Sequence, residues 1–271
     1  MIDLPFSVLI SVYHREKPEY LIKSLDSLVK QTLPANEVII VKDGFIGSEL
    51  EDVLKEFEVL LPLKIFALST NVGLGKALAF GLKQCSHELV ARMDSDDICF
   101  IDRFENQVLS FKNNSKLDVS SGYILEFQNE IGDRNVIRRV PIGHEEIYKY
   151  TFKRCPFNHP ATMFKKSAVL KSGSYQESPF FEDYYLWIRM ARSGCILGNT
   201  KNLLLHYRIG NNMISRRHGL SYAIHEYNFF KKSYQEGLID RYHFFKFCLR
   251  FPIRLLPISL LGRFYDFFLR T

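Results

Sequence analysis

Four short apolar runs rich in β-branched residues fall within the first 93 residues, and helical patterns separate them. FSVLISVY (6–13) stands behind Pro5, EVIIVKDG (37–44) ends in a turn, and LKIFAL (63–68) and ELVARM (88–93) follow. Between them, Pro18 opens a helical pattern with Leu21, Leu25 and Leu28 on one face. ELEDVLKEF (49–57) reads as a short helix, and NVGLGKALAFGLKQ (71–84) as a glycine turn running into another. Runs that are apolar throughout, without a polar alternate face, suit strands buried on both sides. Alternation of such strands with helices predicts βαβ units in an α/β fold, with a mostly parallel central sheet flanked by helices.

In such sheets ligands bind beyond the carboxyl ends of the strands. Three features fall at that edge: Tyr13 to Arg15, Asp43, and the acidic turn DSDD, which carries Asp94, Asp96 and Asp97. The second half is less regular. SGYILEF (121–127) and NVIRRV (135–140) read as strands of a mixed region, and NHPATMFKKSAVL (158–170) as a strand entering a helix. SPFFEDYYLWIRMARSG (178–194) reads as a loop and then a helix from Glu182 to Arg192, closed by Gly194. NLLLHYRI (202–209) is a further strand.

Three carboxylates within four positions repel one another unless water or a cation screens them. Mg²⁺ or Mn²⁺ suits such a turn, because each takes one or two protein carboxylates and fills its other positions with water and ligand phosphates. The alternative is a solvated acidic turn. Two other phosphate-binding designs are absent. The turn after the first strand, VYHREKP, has no GxGxxG, and NVGLGKA lacks the P-loop spacing.

Charge and cysteines narrow the setting. Net charge is +6, but Arg241, Lys246, Arg250, Arg254, Arg263 and Arg270 face Asp266 alone in the last stretch, so the rest is near neutral. No nucleic-acid partner is expected of such a body. The five cysteines are odd in number and none forms a CxxC pair, which points to a reducing, cytoplasmic compartment. No signal peptide and no uncharged stretch long enough to span a bilayer is read.

Taken as an ordered set, the motifs resemble the family-2 glycosyltransferases, inverting enzymes of the GT-A fold that use nucleotide sugars. The matching stretches are SVLISVYHRE, SLDSLVKQTLP, EVIIVKDG, STNVGLGKALAFGL, ARMDSDD, NHPATMFKKSAV, FEDYYLWIRMARSG and YRIGNNMISRR, in family order over residues 5–217. The chain looks in particular like bacterial enzymes that extend O-antigen or exopolysaccharide repeat units on a lipid-diphosphate carrier. The resemblance implies a nucleotide-sugar donor, a UDP-sugar, and a lipid-diphosphate-linked saccharide acceptor. It implies residues 1–100 as the nucleotide-sugar half, 101–217 as the acceptor half, and 218–271 as a helical segment.

The resemblance also assigns roles. Asp43 would bond the uracil or ribose, with Val12, Tyr13 and Glu16 lining the same pocket. Asp94 would contact the ribose, and Asp96 would bind the Mn²⁺ or Mg²⁺ that bridges the phosphates. Arg92 either offsets the aspartates or touches the donor. Asp183, in FEDYYLWIRM, would be the general base, with Glu182 as the second choice; on bare sequence grounds, without the family, Asp183 reads as a helix cap. The aromatic residues around it, Phe180, Phe181, Tyr184, Tyr185 and Trp187, offer a sugar platform. His159 would contact the acceptor or serve structurally, and Arg216 and Arg217 would grip a diphosphate or form a solvated loop. Arg103 and Gln107 would brace the acidic turn.

Two departures from the family pattern stand out. Lys42 occupies the first position of the usual DDGS, and the run Tyr207, Arg208, Ile209, Gly210 lacks the histidine of YR-x-H. Residues 241–271 hold two basic, aromatic, amphipathic patterns separated by Pro252 and Pro257, which suits an anionic membrane surface and a peripheral place on the inner face of the cell membrane. A nucleotidyltransferase would need a glycine- and arginine-rich first loop, and a non-catalytic membrane adaptor would not need DSDD and ED intact.

Overall fold

In the computed structural model, which describes residues 4–209 and 218–255, the four strand runs form one parallel unit. They are β1 (Phe6–Val12), β2 (Glu37–Lys42), β3 (Leu63–Ala67) and β4 (Leu89–Met93), in the order β3-β2-β1-β4. Val12 lies opposite Lys42, Lys42 opposite Ala67, and Ile10 opposite Met93, so the carboxyl ends finish side by side. The period of two sorts the side chains. Val8, Ile10, Val38 and Ile40 point to one face, covered by α1 (Pro18–Val29) and α2 (Ser48–Phe57). Leu9, Ile39 and Val41 point to the other, covered by α3 (Leu74–Gln84). A Cβ on Gly81 would come within 2.5 Å of Leu9, so the absence of a side chain there lets α3 lie flat on the sheet.

The sheet continues without a break into the second half. β8 (Met163–Lys165) runs antiparallel to β4, and β6 (Leu117–Phe127) antiparallel to β8. β9 (Ile196–Arg208) runs parallel to β6, and β7 (Val136–Arg138) pairs antiparallel beside it. The two-residue β5 (Ile98–Cys99), directly after the acidic turn, pairs with β9 through Ile98 and His206. That short pairing brings the far end of β9 back against DSDD.

α4 (Arg103–Asn113), α5 (His144–Thr151) and α6 (Lys166–Lys171) fill the flanks, and α7 (Glu182–Arg192) crosses the sheet. The expected sugar platform on α7 needs correction. Trp187 is wholly buried, with Phe157, His159 and Phe164 rings 5.1, 5.9 and 6.5 Å away. Phe181, Tyr184 and Tyr185 are buried too, because α8 (Gly219–Gln235) covers the outer face of α7. Phe181 stacks on Phe229 at 4.8 Å, and the Tyr184 ring lies 5.4 Å from the same Phe229. These rings form a wedge between the sheet and the C-terminal helices. Of the five, Phe180 alone stays exposed.

α9 (Arg241–Cys248) folds back on α8 through stacked Phe247 and Phe230, 3.6 Å apart. Arg254 makes a two-pronged contact with buried Glu226 at 2.7 and 2.8 Å. The outer face of α9 presents Tyr242, Phe245 and Leu249 to solvent. No helix among the described residues is long and apolar enough to cross a membrane. Arg216, Arg217 and the pattern at 258–270 lie outside the described residues.

Candidate active site

The ends of β1, β2 and β4 deliver the polar groups in turn. Asp43, just past β2, is buried, and its carboxylate oxygens accept the Val72 and Gly73 N–H groups at 2.7 and 3.0 Å. It therefore clamps the glycine turn that opens α3. Gly44 has φ +85, and a Cβ there would sit 2.7 Å from the Asn71 nitrogen, so only glycine lets this turn close. Val12 corrects the expectation. Its side chain is in the core, because even-numbered β1 positions face α1 and α2, and its carbonyl already accepts the Asp43 N–H at 2.8 Å. Tyr13 is exposed at the rim. Lys42, the departure from the family pattern, is neutralised by Glu51 of α2 at 2.7 Å.

The acidic turn follows β4. Carboxylate oxygens of Asp94, Asp96 and Asp97 lie within 4.8 Å of one another. Burial first, then the neighbouring Asp94 and Glu16 charges, pushes Asp96 up to about 7, against the lowering effect of Arg208. Asp97 is fully buried and pushed well above the carboxylate range by burial and the two other aspartates. Its Oδ1 accepts the Arg208 N–H at 2.8 Å, while its Oδ2 is buried with no hydrogen-bond partner. Glu16, raised chiefly by burial, accepts from the Ser95 hydroxyl and so ties the first loop to the same turn. An all-oxygen, all-carboxylate set holding an orphaned buried oxygen fits a hard divalent cation.

Asp96 holds its proton in the folded chain up to about pH 7, and Asp97 is likewise held protonated well above the ordinary carboxylate range, whereas the unfolded chain releases both above about pH 4. The stability they contribute is therefore full below about pH 4 and is lost as pH rises through neutrality. A bound cation takes the place of those protons, so its stabilising effect grows with pH. The rise in thermal midpoint on adding Mn²⁺ should be larger at about pH 7.5 than at about pH 5.5. His159, whose buried ring is held well below its ordinary pKa, cancels in this difference. Equal rises at the two pH values would count against the cation site.

Arg92, on β4, is buried and pairs with Asp94 at 2.5 Å. Burial opposes its charge, and the Asp94 carboxylate overcomes that opposition. Its Nε and Nη1 have no hydrogen-bond partner. Arg103 and Gln107 of α4 brace this strand rather than the aspartates themselves. Arg103 Nη2 donates to the carbonyls of Arg92 and Pro160 at 2.7 and 3.0 Å, and Gln107 donates to Ala161 O at 2.9 Å.

The start of α7 faces the same centre. Glu182 is pushed up to about 7, first by burial and then by Asp183, with Arg92 and Asp94 close enough to contribute. A Cβ on Gly75 would meet the Glu182 side chain at 3.1 Å, so the glycine turn held by Asp43 packs directly on the start of α7. Asp183 sits in the first helical turn, where its Oδ1 accepts the Tyr184 N–H at 2.7 Å and its Oδ2 lies 3.8 Å from Cys155 Sγ. His159 belongs to the frame instead: its Nε2 and Tyr175 Oη are 3.0 Å apart, and the ring is buried beside Trp187. An imidazole enclosed in this way answers to the structural one of its two readings and not to contact with the acceptor.

One residue escaped the sequence reading. Arg208, at the end of β9, lies between the rings of Tyr20 and Phe127, 3.7 and 4.4 Å from their centroids. Its Nε donates to Asp96 O at 3.0 Å, while its own N–H holds Asp97. It is a strut that fixes the acidic turn from the end of β9. The signal was present in the Tyr-Arg pair of YRIG, but its target is 112 residues away in sequence.

Comparison with known proteins agrees with this geometry. The family described as Glycosyl transferase family 2 matches residues 7–173. An uncharacterized glycosyltransferase of Haemophilus influenzae is 44% identical over 98% of this chain and 100% of its own. The UDP-Gal:alpha-D-GlcNAc-diphosphoundecaprenol beta-1,3-galactosyltransferase of Escherichia coli is 39% identical over 97% of this chain and 96% of its own. Among solved structures, the mannosyltransferase PcManGT of Pyrobaculum calidifontis, in complex with GDP-Man and Mn²⁺, superposes with a TM-score of 0.68 at 15% identity, over 98% of this chain and 76% of that one.

Proposed function

This chain belongs to glycosyl transferase family 2, has the GT-A fold and is a glycosyltransferase, and from that premise we propose that it moves a hexose from a UDP-sugar to a lipid-diphosphate-linked saccharide, with inversion, in the assembly of a bacterial surface polysaccharide. One observation carries the site assignment: the DSDD turn and the start of α7 converge on the buried Arg92. Similarity to the Escherichia coli galactosyltransferase over nearly the whole of both chains supports the donor and acceptor classes.

Asp43 holds the glycine turn beside the nucleoside, and each of its oxygens keeps a lone pair for the uracil or ribose. Tyr13 and Glu16 complete that pocket, and residues 1–100 supply it. Asp94, Asp96 and Asp97 would hold Mn²⁺ or Mg²⁺, which when bound neutralises charge on the departing diphosphate. Arg92 keeps Asp94 charged and in place. Asp183 takes the proton from the acceptor hydroxyl. Glu182 packs on Gly75 and bounds the donor side. The family match ends at residue 173, and the role of Asp183 rests on the resemblance of FEDYYLWIRM, with its place at the start of α7 in support.

The acceptor's lipid brings the enzyme to the inner face of the membrane. Tyr242, Phe245 and Leu249 form an exposed stripe on α9 beside Lys246, and the basic sequence to residue 271 continues from it. Replacing the three by serine should lower co-sedimentation with vesicles containing anionic lipid, and unchanged partitioning would remove this part of the reading. Calorimetry of UDP with the purified protein tests the donor site. Binding with Mn²⁺ that disappears in chelator supports it. No binding in either condition would favour a non-catalytic adaptor.

A further inference from the structure

Resting on the glycosyl-transfer reading above, we propose that Phe180 is the platform on which a saccharide ring of the acceptor lies while its hydroxyl is presented to Asp183. The first observation is conformational. The Phe181 N–H donates to Ser178 O at 2.8 Å, closing a four-residue turn with Pro179 second and Phe180 third. Phe180 has φ +70. This is the arrangement of a type II turn, whose third position favours glycine because a Cβ is strained there. The chain places a phenylalanine at a position that a glycine would fill without strain.

The second observation is that burial does not compensate for this strain. Phe180 is 51% exposed, whereas the other aromatic residues around the start of α7 are in the core. The third is support. Tyr222 and His225 of α8 lie 5.4 and 5.5 Å from the Phe180 ring, tilted at 60° and 62°, and hold it in one orientation. A fixed, half-exposed aromatic face suits the C–H face of a pyranose, whose hydroxyls stay free to bond elsewhere. Asp183 follows Phe180 by three positions, a reach of about 10 Å at most. The platform and the proposed base are therefore close enough along the chain to serve one sugar ring. Strained backbone of this kind gathers at ligand sites.

The test uses the full chain and a short-chain alkyl-diphospho-N-acetylglucosamine as acceptor probe. In Phe180→Gly the thermal midpoint should stay level or rise, because the turn is relieved, while the acceptor KM rises roughly tenfold. Phe180→Trp should restore the KM to near the starting value. UDP affinity in Mn²⁺ should be the same in all three proteins. Saturation-transfer NMR reads the contact without turnover: the sugar-ring protons of the probe should receive saturation from the unaltered protein and lose it in Phe180→Gly. That measurement separates the two claims, since absent UDP binding with intact saturation transfer would sink the donor reading and leave the platform standing. An unchanged KM and saturation transfer in Phe180→Gly, or a fall in thermal midpoint and UDP affinity together, would overturn the platform.

Discussion

Asp183→Asn should cut sugar transfer by about 10²–10⁴-fold while leaving UDP binding and folding intact. The substitution keeps the shape of the side chain. Its amide oxygen can still accept the Tyr184 N–H that Asp183 Oδ1 accepts at 2.7 Å, so the first turn of α7 keeps its bond. What is lost is the ability to take a proton, together with a negative charge at a helix N-terminus, worth about 0.3–1 kcal/mol of stability. These two losses have different readouts. If Asp183 serves only the helix, the variant melts slightly earlier and turns over normally. If it is the base, turnover collapses with little change in the melt. Glu182→Gln is the paired control. Its carboxyl lies toward Gly75, Arg92 and Asp94, so its removal should disturb donor affinity more than proton removal. Normal turnover in Asp183→Asn would sink the assignment.

Much of this site is legible from sequence because it lies at the ends of strands that announce themselves. β1, β2 and β4 are continuous apolar runs, and a parallel arrangement sends their carboxyl ends to one edge. Asp43 and DSDD are therefore neighbours before any coordinates are known. What sequence could not show is how the remaining polar groups are used. Asp43 looks like a ligand reader, yet its oxygens already hold the α3 turn. His159 and Trp187 have residue types that often touch sugars, but both are buried among Phe157, Phe164, Tyr175 and each other. An aromatic residue reads the same in sequence whether it faces ligand or core, and only the packing partner decides. Phe180 and Trp187 are seven positions apart and have opposite fates for this reason.

The strut formed by Arg208 shows the same limit from the other direction. Its role depends on three contacts distant in sequence: Tyr20 on α1, Phe127 on β6 and the Asp96 carbonyl. No local pattern encodes these. They exist because β5 pairs with β9 for only two residues and draws the strand end against the acidic turn. A guanidinium set between two rings, with its Nε and Nη1 donating to separate carbonyls, is not replaced by an ammonium. The geometry of DSDD is thus set partly by a residue that touches none of the three carboxylate groups with its side chain.

Asp96→Asn should separate stability from function in opposite directions. In the metal-free protein Asp96 is a cost: burial, Asp94 and Glu16 all disfavour its charge and push it up to about 7. Removing that charge relieves Asp97 as well, which is raised by the same neighbour. The fold keeps its local frame, because Arg208 Nε donates to the backbone carbonyl of residue 96 and not to its side chain. The thermal midpoint in chelator at about pH 7.5 should therefore rise. Donor binding should move the other way. A neutral amide is a poor ligand for a hard cation, and even outer-shell partners of a bound metal are worth 10–100-fold in affinity, so UDP affinity in Mn²⁺ should fall by at least about 100-fold. Stabilisation of the chain by Mn²⁺ should shrink in step, since both report one site. The coupling makes the result hard to mimic by misfolding, which would lower the midpoint and the affinity together. UDP affinity equal to that of the unaltered protein in Mn²⁺ would show that Asp96 does not hold the cation, and the clustering of three carboxylates at this strand end would then need a different cause.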